Sequence, residues 1–106
     1  MSADDGVALP PTAEVRVAAY VHGEVQGVGF RWWARARALE LGLVGHARNL
    51  TDGRVEVVAQ GSREQVEVLV ALLRESPSTT RRPGRVSTVV VQDHGPKDGT
   101  TGFVER

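Results

Sequence analysis

The strongest constraint on the fold is a glycine-rich segment, residues 22–31, which separates two different periodicities of apolar residues. Before it, the pattern from Val15 to Val21 places every second side chain on one apolar face, as in a half-buried strand. After it, apolar residues recur at three- and four-residue steps from Phe30 to about Leu41. This spacing predicts an amphipathic helix that ends at Gly42.

Four more strands and a second helix are predicted beyond this unit. Asp52-Gly53 is a strong hairpin signal between two of the strands. Ser62 is expected to cap the second helix, with Gln65 three residues later completing a capping box. The predicted strands are residues 43–50, 54–60, 85–92 and 103–106.

The order of strand, helix, strand, strand, helix and strand predicts an α+β fold. It is the βαββαβ pattern of a ferredoxin-like α/β sandwich. Each helix has a single apolar stripe, so both should cover one face of an antiparallel sheet. We expect residues 15–106 to form one domain and residues 1–14 to be a flexible N-terminal tail.

Composition excludes several classes of function. The 13 basic and 13 acidic residues give a net charge of zero, which argues against binding a nucleic acid. There is no cysteine and no apolar run long enough to span a bilayer, so thiol chemistry is excluded and no membrane association is expected. His22, His46 and His94 lack metal-ligand spacing, so no metal site is expected. The acidic start of the chain lacks the order of a signal peptide, and we expect a cytoplasmic protein.

The junction between the first strand and the first helix is suited to an anion. Gly23, Gly27 and Gly29 allow the main chain to turn its N–H groups towards a ligand. The start of a helix adds unpaired donors and a partial positive charge. Arg31 is mildly unfavourable there, by roughly 0.3–1 kcal/mol, unless an anion compensates. The glycine spacing alone fits a simple turn equally well.

Asn49 is the second candidate site residue. Asparagine is unfavourable in strands, yet Asn49 falls within a predicted strand. Its amide can both donate and accept, so it could orient a water without titrating. Taken in isolation, Asn49 could equally be an exposed strand residue or a residue that prepares the Asp52-Gly53 turn. Arg48 should point to the opposite face of the sheet.

Two motifs at this separation make the chain similar to the acylphosphatases. They are residues 23–31 (GEVQGVGFR) and residues 45–56 (GHARNLTDGRVE), and the resemblance is close over about residues 15–61. It implies hydrolysis of the carboxyl-phosphate bond of small acyl phosphates to a carboxylate and inorganic phosphate. It further implies catalytic roles for Arg31, which binds the phosphate, and Asn49, which positions the attacking water.

The resemblance also assigns the phosphate cradle and the partners. The cradle consists of main-chain amides from Gln26, Gly27, Val28, Gly29, Phe30 and Arg31. The enzyme would need no cofactor and no metal, would meet inorganic phosphate as product or competitive ligand, and is expected to be a monomer. His46-Ala47 departs from the large aromatic followed by valine that members of the family often carry, which bears on packing or substrate fit.

Two other readings share the predicted element order. An RNA-recognition module would need aromatic residues on its central strands, where only Tyr20 is available. A small-ligand regulatory domain without catalysis would not need both Arg31 and Asn49. Trp33 belongs to the apolar stripe of the first helix, and Trp32 is either a partly buried packing residue or an exposed substrate contact.

Overall fold

The structure, a computed structural model, describes residues 10–106. Within them the order of elements is the one that the apolar periodicities predict. The elements are β1 (Glu14–Glu24), α1 (Phe30–Glu40), β2 (Val44–Asn49), β3 (Val55–Ser62), α2 (Arg63–Arg74), β4 (Arg85–His94) and β5 (Phe103–Glu105). Neither helix is long and apolar enough to cross a membrane.

The five strands form one sheet in the order β4-β1-β3-β2-β5. Neighbours pair antiparallel except β2 and β5, which run parallel with Gly45 opposite Phe103. The ferredoxin-like fold is confirmed, and the sheet is mixed rather than wholly antiparallel. The loop after β4, residues 95–102, carries the chain from the β4 edge of the sheet to the β2 edge. The chain then re-enters beside β2 in the same direction as β2.

Both helices cover one face of the sheet, as their single apolar stripes predict. On β1 the alternate residues Val17, Ala19 and Val21 face the helices. Phe30 and Trp33 of α1 pack together in this core, with ring centroids 5.5 Å apart. Among residues 10–106 no helix covers the opposite face of the sheet, which holds mainly polar and charged side chains of β1, β2 and β3.

The ends of the helices are held by main-chain and side-chain hydrogen bonds. After α1, Gly42 N donates to Leu39 O and Leu43 N to Ala38 O, which is the Schellman arrangement. At α2, Ser62 Oγ accepts from Gln65 N at 3.3 Å, as the predicted N-cap requires.

The N-terminal region is tied to the start of α2 where the structure describes it. Arg63 N donates to Ala13 O at 2.8 Å, and Glu64 N donates to Pro11 O at 3.0 Å. These bonds satisfy two of the free donors at the start of the helix. Glu14 is already the first residue of β1. Of the tail predicted over residues 1–14, residues 1–9 lie outside the described range.

Candidate active site

The turn between β1 and α1 exposes a row of main-chain donors. Gly27 and Gly29 have φ values of +74° and +88°, which lie in the left-handed region that favours glycine. In the described part of the chain, the N–H groups of residues 27–32 donate to no main-chain carbonyl oxygen. The first turn of α1 contains no acidic residue. These donors at a helix N-terminus form a cradle suited to an anion.

The Arg31 side chain contacts the residue that follows β5, at the edge of the sheet against which α1 packs. Its Nη1 donates to the main-chain oxygen of Arg106 at 2.5 Å. Arg106 N in turn donates to Ala47 O on β2 at 2.8 Å. The guanidinium of Arg31 is therefore held near β2, two residues before Asn49.

Asn49 is the last residue of β2 and lies opposite Val55 of β3. It shares the helix-covered face with Ala47, whereas Arg48 points to the other face and is exposed. The Oδ1 atom of Asn49 is buried and accepts no hydrogen bond from any described residue. Buried polar atoms nearly always have a partner, so an unpartnered oxygen at Asn49 is unusual.

The Gln26 side chain connects the cradle to the hairpin that follows Asn49. Its Nε2 donates to Leu50 O at 2.7 Å and to Arg54 O at 2.9 Å. Asn49 is thus bracketed by two links, one from each end of the cradle. The family resemblance places the main chain of Gln26 in the cradle but does not predict these side-chain contacts. Leu50 lies 24 positions and Arg54 lies 28 positions further along the chain. No local pattern signals contacts of that kind.

A charged cluster occupies the open face of the sheet behind this site. Glu56 lies 3.3 Å from His46 Nε2 and 3.0 Å from an Arg48 nitrogen. Burial lowers the pKa of His46 despite the hydrogen bond to Glu56, which acts to raise it. Burial alone would raise the pKa of Glu56, but the hydrogen bonds of His46 and Tyr20 and the charge of Arg48 hold that pKa below its ordinary value.

Aromatic residues near the site have distinct environments. Trp33 is buried and donates from Nε1 to Thr80 O at 3.1 Å, so it fixes the loop before β4 against α1. Trp32 is 62% exposed, so it is not the partly buried packing residue that is commoner at such positions. Tyr20, the aromatic residue of the central strands, lies under the Arg54 guanidinium at 5.1 Å. The guanidinium of Arg54 thus covers the Tyr20 ring, whereas an RNA-recognition module leaves such rings accessible for stacking on bases.

Two further features bear on ligands. Among residues 10–106 there is no group of three or more His, Asp or Glu side chains that could hold a metal ion. A cavity of about 880 Å³ lies between α2 and the β1–β4 edge of the sheet. Its lining includes Glu14 and His94, at the end of the sheet opposite the cradle, and none of the candidate site residues.

Comparison with known proteins gives one consistent answer. The sequence model of the acylphosphatase family matches residues 17–104. The acylphosphatase of Corynebacterium efficiens is 54% identical over 100 residues, covering 94% of this chain and 100% of that protein. The acylphosphatase of Saccharopolyspora erythraea is 61% identical over 93 residues, covering 88% and 94%.

A solved structure extends the likeness from sequence to fold. The structure of an acylphosphatase from Coxiella burnetii matches with a TM-score of 0.75 and 35% identity, covering 88% of this chain and 93% of that one. The family match, the relatives and the shared fold agree with one another. The chain therefore belongs to the acylphosphatase family, and its activity is that of an acylphosphatase.

Proposed function

We propose that residues 26–31 bind the phosphoryl group of a small acyl phosphate while Asn49 holds the attacking water. In this assignment the main-chain N–H groups of the cradle and the Arg31 guanidinium donate to the phosphoryl oxygens. Asn49 Oδ1 accepts a hydrogen bond from the water. The observation that carries the proposal is the placement of Asn49 between two hydrogen-bonded links to the cradle, one from Gln26 and one from Arg31.

The reaction follows from this arrangement. The water oxygen attacks phosphorus from the side opposite the acyl oxygen. The bond between phosphorus and the acyl oxygen breaks, and that oxygen keeps the electron pair as part of a carboxylate. The products are a carboxylate and inorganic phosphate, and both hydrogens of the water stay with the phosphate. An acyl phosphate is a mixed anhydride with a good leaving group, so positioning and charge stabilisation are the main requirements.

The residues of the site are suited to those two requirements. The guanidinium and the main-chain donors are fixed before the substrate arrives, and they face the oxygens on which charge develops. The Asn49 amide directs the water without a change of protonation. We therefore propose hydrolysis without a metal and without a covalent phosphoenzyme.

A cytoplasmic location, and residues 15–106 as one acylphosphatase-like domain, stay predictions from the sequence. A monomer as the active form also stays a prediction from the sequence. Light scattering after size-exclusion chromatography tests the oligomeric state, and we expect the mass of a monomer, near 11.4 kDa. A dimer mass would contradict this expectation.

Isotope labelling in the presence of a chelator tests the proposed chemistry. Purified protein hydrolyses acetyl phosphate in ¹⁸O-labelled water with excess EDTA, and mass spectrometry locates the label. We expect undiminished turnover with the label in inorganic phosphate, because water attacks phosphorus. Label in acetate would show attack at the carbonyl carbon, and complete dependence on added metal would contradict the metal-free proposal.

A further inference from the structure

We propose that Gln26 is a positioning residue whose side chain sets the distance between the phosphate cradle and Asn49. This inference rests on the proposed roles of the cradle and Asn49. It differs from them because it gives the Gln26 side chain no contact with the substrate. Gln26 directly precedes Gly27 of the cradle, and its amide contacts the hairpin directly after Asn49.

The hydrogen bonds at the hairpin form a closed and fully used set. Leu50 O accepts from Gly53 N at 3.3 Å and from Gln26 Nε2 at 2.7 Å. Arg54 O accepts from Leu50 N at 2.8 Å and from Gln26 Nε2 at 2.9 Å. Each carbonyl oxygen has two lone pairs, and one of them goes to the hairpin itself. The other receives a hydrogen of the Gln26 amide.

These contacts require a primary amide. Two N–H donors on one nitrogen are needed to reach both carbonyl oxygens at once, and the glutamine side chain supplies them. The opposite orientation of the amide would place its oxygen against two carbonyl oxygens and is excluded by repulsion. Both Nε2 hydrogens are therefore used by the hairpin. The remaining Oε1 atom is an acceptor and cannot bind a phosphoryl oxygen.

The consequence for catalysis is geometric. Leu50 follows Asn49, so their Cα atoms are about 3.8 Å apart and a displacement of Leu50 moves Asn49. Phosphate binding needs only the cradle and Arg31, whereas water attack needs Asn49 at the correct distance from the bound phosphorus. A misplacement of about 1 Å can lower a rate about 100-fold. Loss of the Gln26 contacts should therefore lower kcat while phosphate binding persists.

A double-mutant cycle between Gln26→Met and Asn49→Ala tests this role. Methionine has a similar length and no N–H donor. We expect Gln26→Met to lower kcat about 10- to 100-fold and to leave the inhibition constant of inorganic phosphate within about twofold. In the Asn49→Ala background the same change should alter kcat by less than about threefold, because no water-holding amide remains to be positioned.

Gln60→Met is the matched control. Gln60 also donates from Nε2 to two acceptors, Glu14 Oε2 at 2.7 Å and Lys97 O at 2.9 Å, but at the opposite end of β3. It should lower the melting temperature without changing kcat. If Gln26→Met does not fold, Gln26→Asn replaces it in the cycle, since its amide is one methylene too short to reach both carbonyls.

The outcomes distinguish a failure of the proposed active site from a failure of the positioning role of Gln26. Full kcat in Asn49→Ala would overturn the proposed site itself. A loss in Asn49→Ala to which Gln26→Met adds independently would overturn the positioning role alone. A phosphate inhibition constant that weakens in step with kcat in Gln26→Met would place that side chain in the cradle instead.

Discussion

Arg31 Nη1 donates to the main-chain oxygen of Arg106, 75 residues further along the chain. Arg106 is itself hydrogen-bonded to Ala47 on the strand that carries Asn49. One donor of the guanidinium is therefore used to orient the side chain, and the planar group holds its other donors in fixed directions. The bond to Arg106 gives Arg31 a defined position even though it begins a helix whose dipole disfavours a cation.

Arg31→Lys should therefore be strongly impaired although it keeps the positive charge. A lysine ammonium lacks the planar fork of donors with which a guanidinium can contact Arg106 and donate to two phosphoryl oxygens at the same time. We expect kcat/KM for acetyl phosphate to fall on the order of 100-fold, the scale for loss of a fixed donor to developing charge. Steady-state kinetics measure this loss.

Arg35→Lys provides the control for a general effect on α1. Arg35 lies one turn further along the helix, and its Nε donates to Phe103 O at 2.9 Å. This variant should keep its turnover, because Arg35 contacts the sheet edge and not the cradle. Near-normal turnover in Arg31→Lys would contradict the role of the guanidinium fork.

The left-handed conformation of Gly29 should be required for binding phosphate. A Cβ at Gly29 meets no atom within 4 Å, so Gly29→Ala tests the φ of +88° rather than a steric clash. We expect a stability cost of about 1–2 kcal/mol or a relaxed loop with weaker phosphate affinity. Inhibition by phosphate and thermal unfolding measure the two effects.

Gly99→Ala is matched to that variant. Gly99 has a φ of +81°, also with nothing within 4 Å of a Cβ, and lies in the loop before β5. The stability cost should be similar and the phosphate inhibition constant unchanged. Equal weakening of phosphate binding in both variants would show that the effect is not specific to the cradle.

The order of elements could be predicted from the sequence, and Arg31 and Asn49 could be proposed as site residues, because these signals are local. The apolar stripe of α1 and the Asp52-Gly53 hairpin each depend on neighbouring residues, and the structure contains both. Arg31 and Asn49 each stand out against a local preference, a cation at a helix start and an amide within a strand. The motifs over residues 23–31 and 45–56, through their resemblance to the acylphosphatases, assign both residues to one site.

The remaining features depend on contacts between distant residues. β1 was predicted to end at Val21 but continues to Glu24, because Gly23 and Glu24 pair with Val86 and Arg85 of β4. The parallel pairing of β5 depends on the path of the preceding loop and not on its composition. The contacts of Gln26 with the hairpin likewise join positions that no periodicity relates.

The His46–Glu56 pair should make stability depend on pH in mildly acidic solution. Both groups have folded-state pKa values below their ordinary values of 6.5 and 4.5. Between the folded-state pKa of each group and its ordinary pKa, the unfolded chain binds more protons than the folded chain. The free energy of unfolding therefore falls as the pH falls through that interval. The His46 contribution is present above pH 6.5 and is lost as pH drops through its lowered pKa.

His46→Gln isolates the first of these contributions. Glutamine can still donate to Glu56 but does not titrate. Denaturant unfolding at a series of pH values should show a smaller loss of stability below pH 6.5 in this variant than in the unmodified protein. Identical pH dependence in both proteins would show that His46 does not contribute.

The central claim is that Asn49 holds the attacking water and does not bind the phosphate. Its most direct test is kcat for acetyl phosphate and the inhibition constant of inorganic phosphate, measured together in Asn49→Ala. The account predicts that kcat falls on the order of 100-fold while the inhibition constant stays within about twofold of the unmodified protein. Unchanged kcat, or a loss of phosphate binding equal to the loss of kcat, would contradict it.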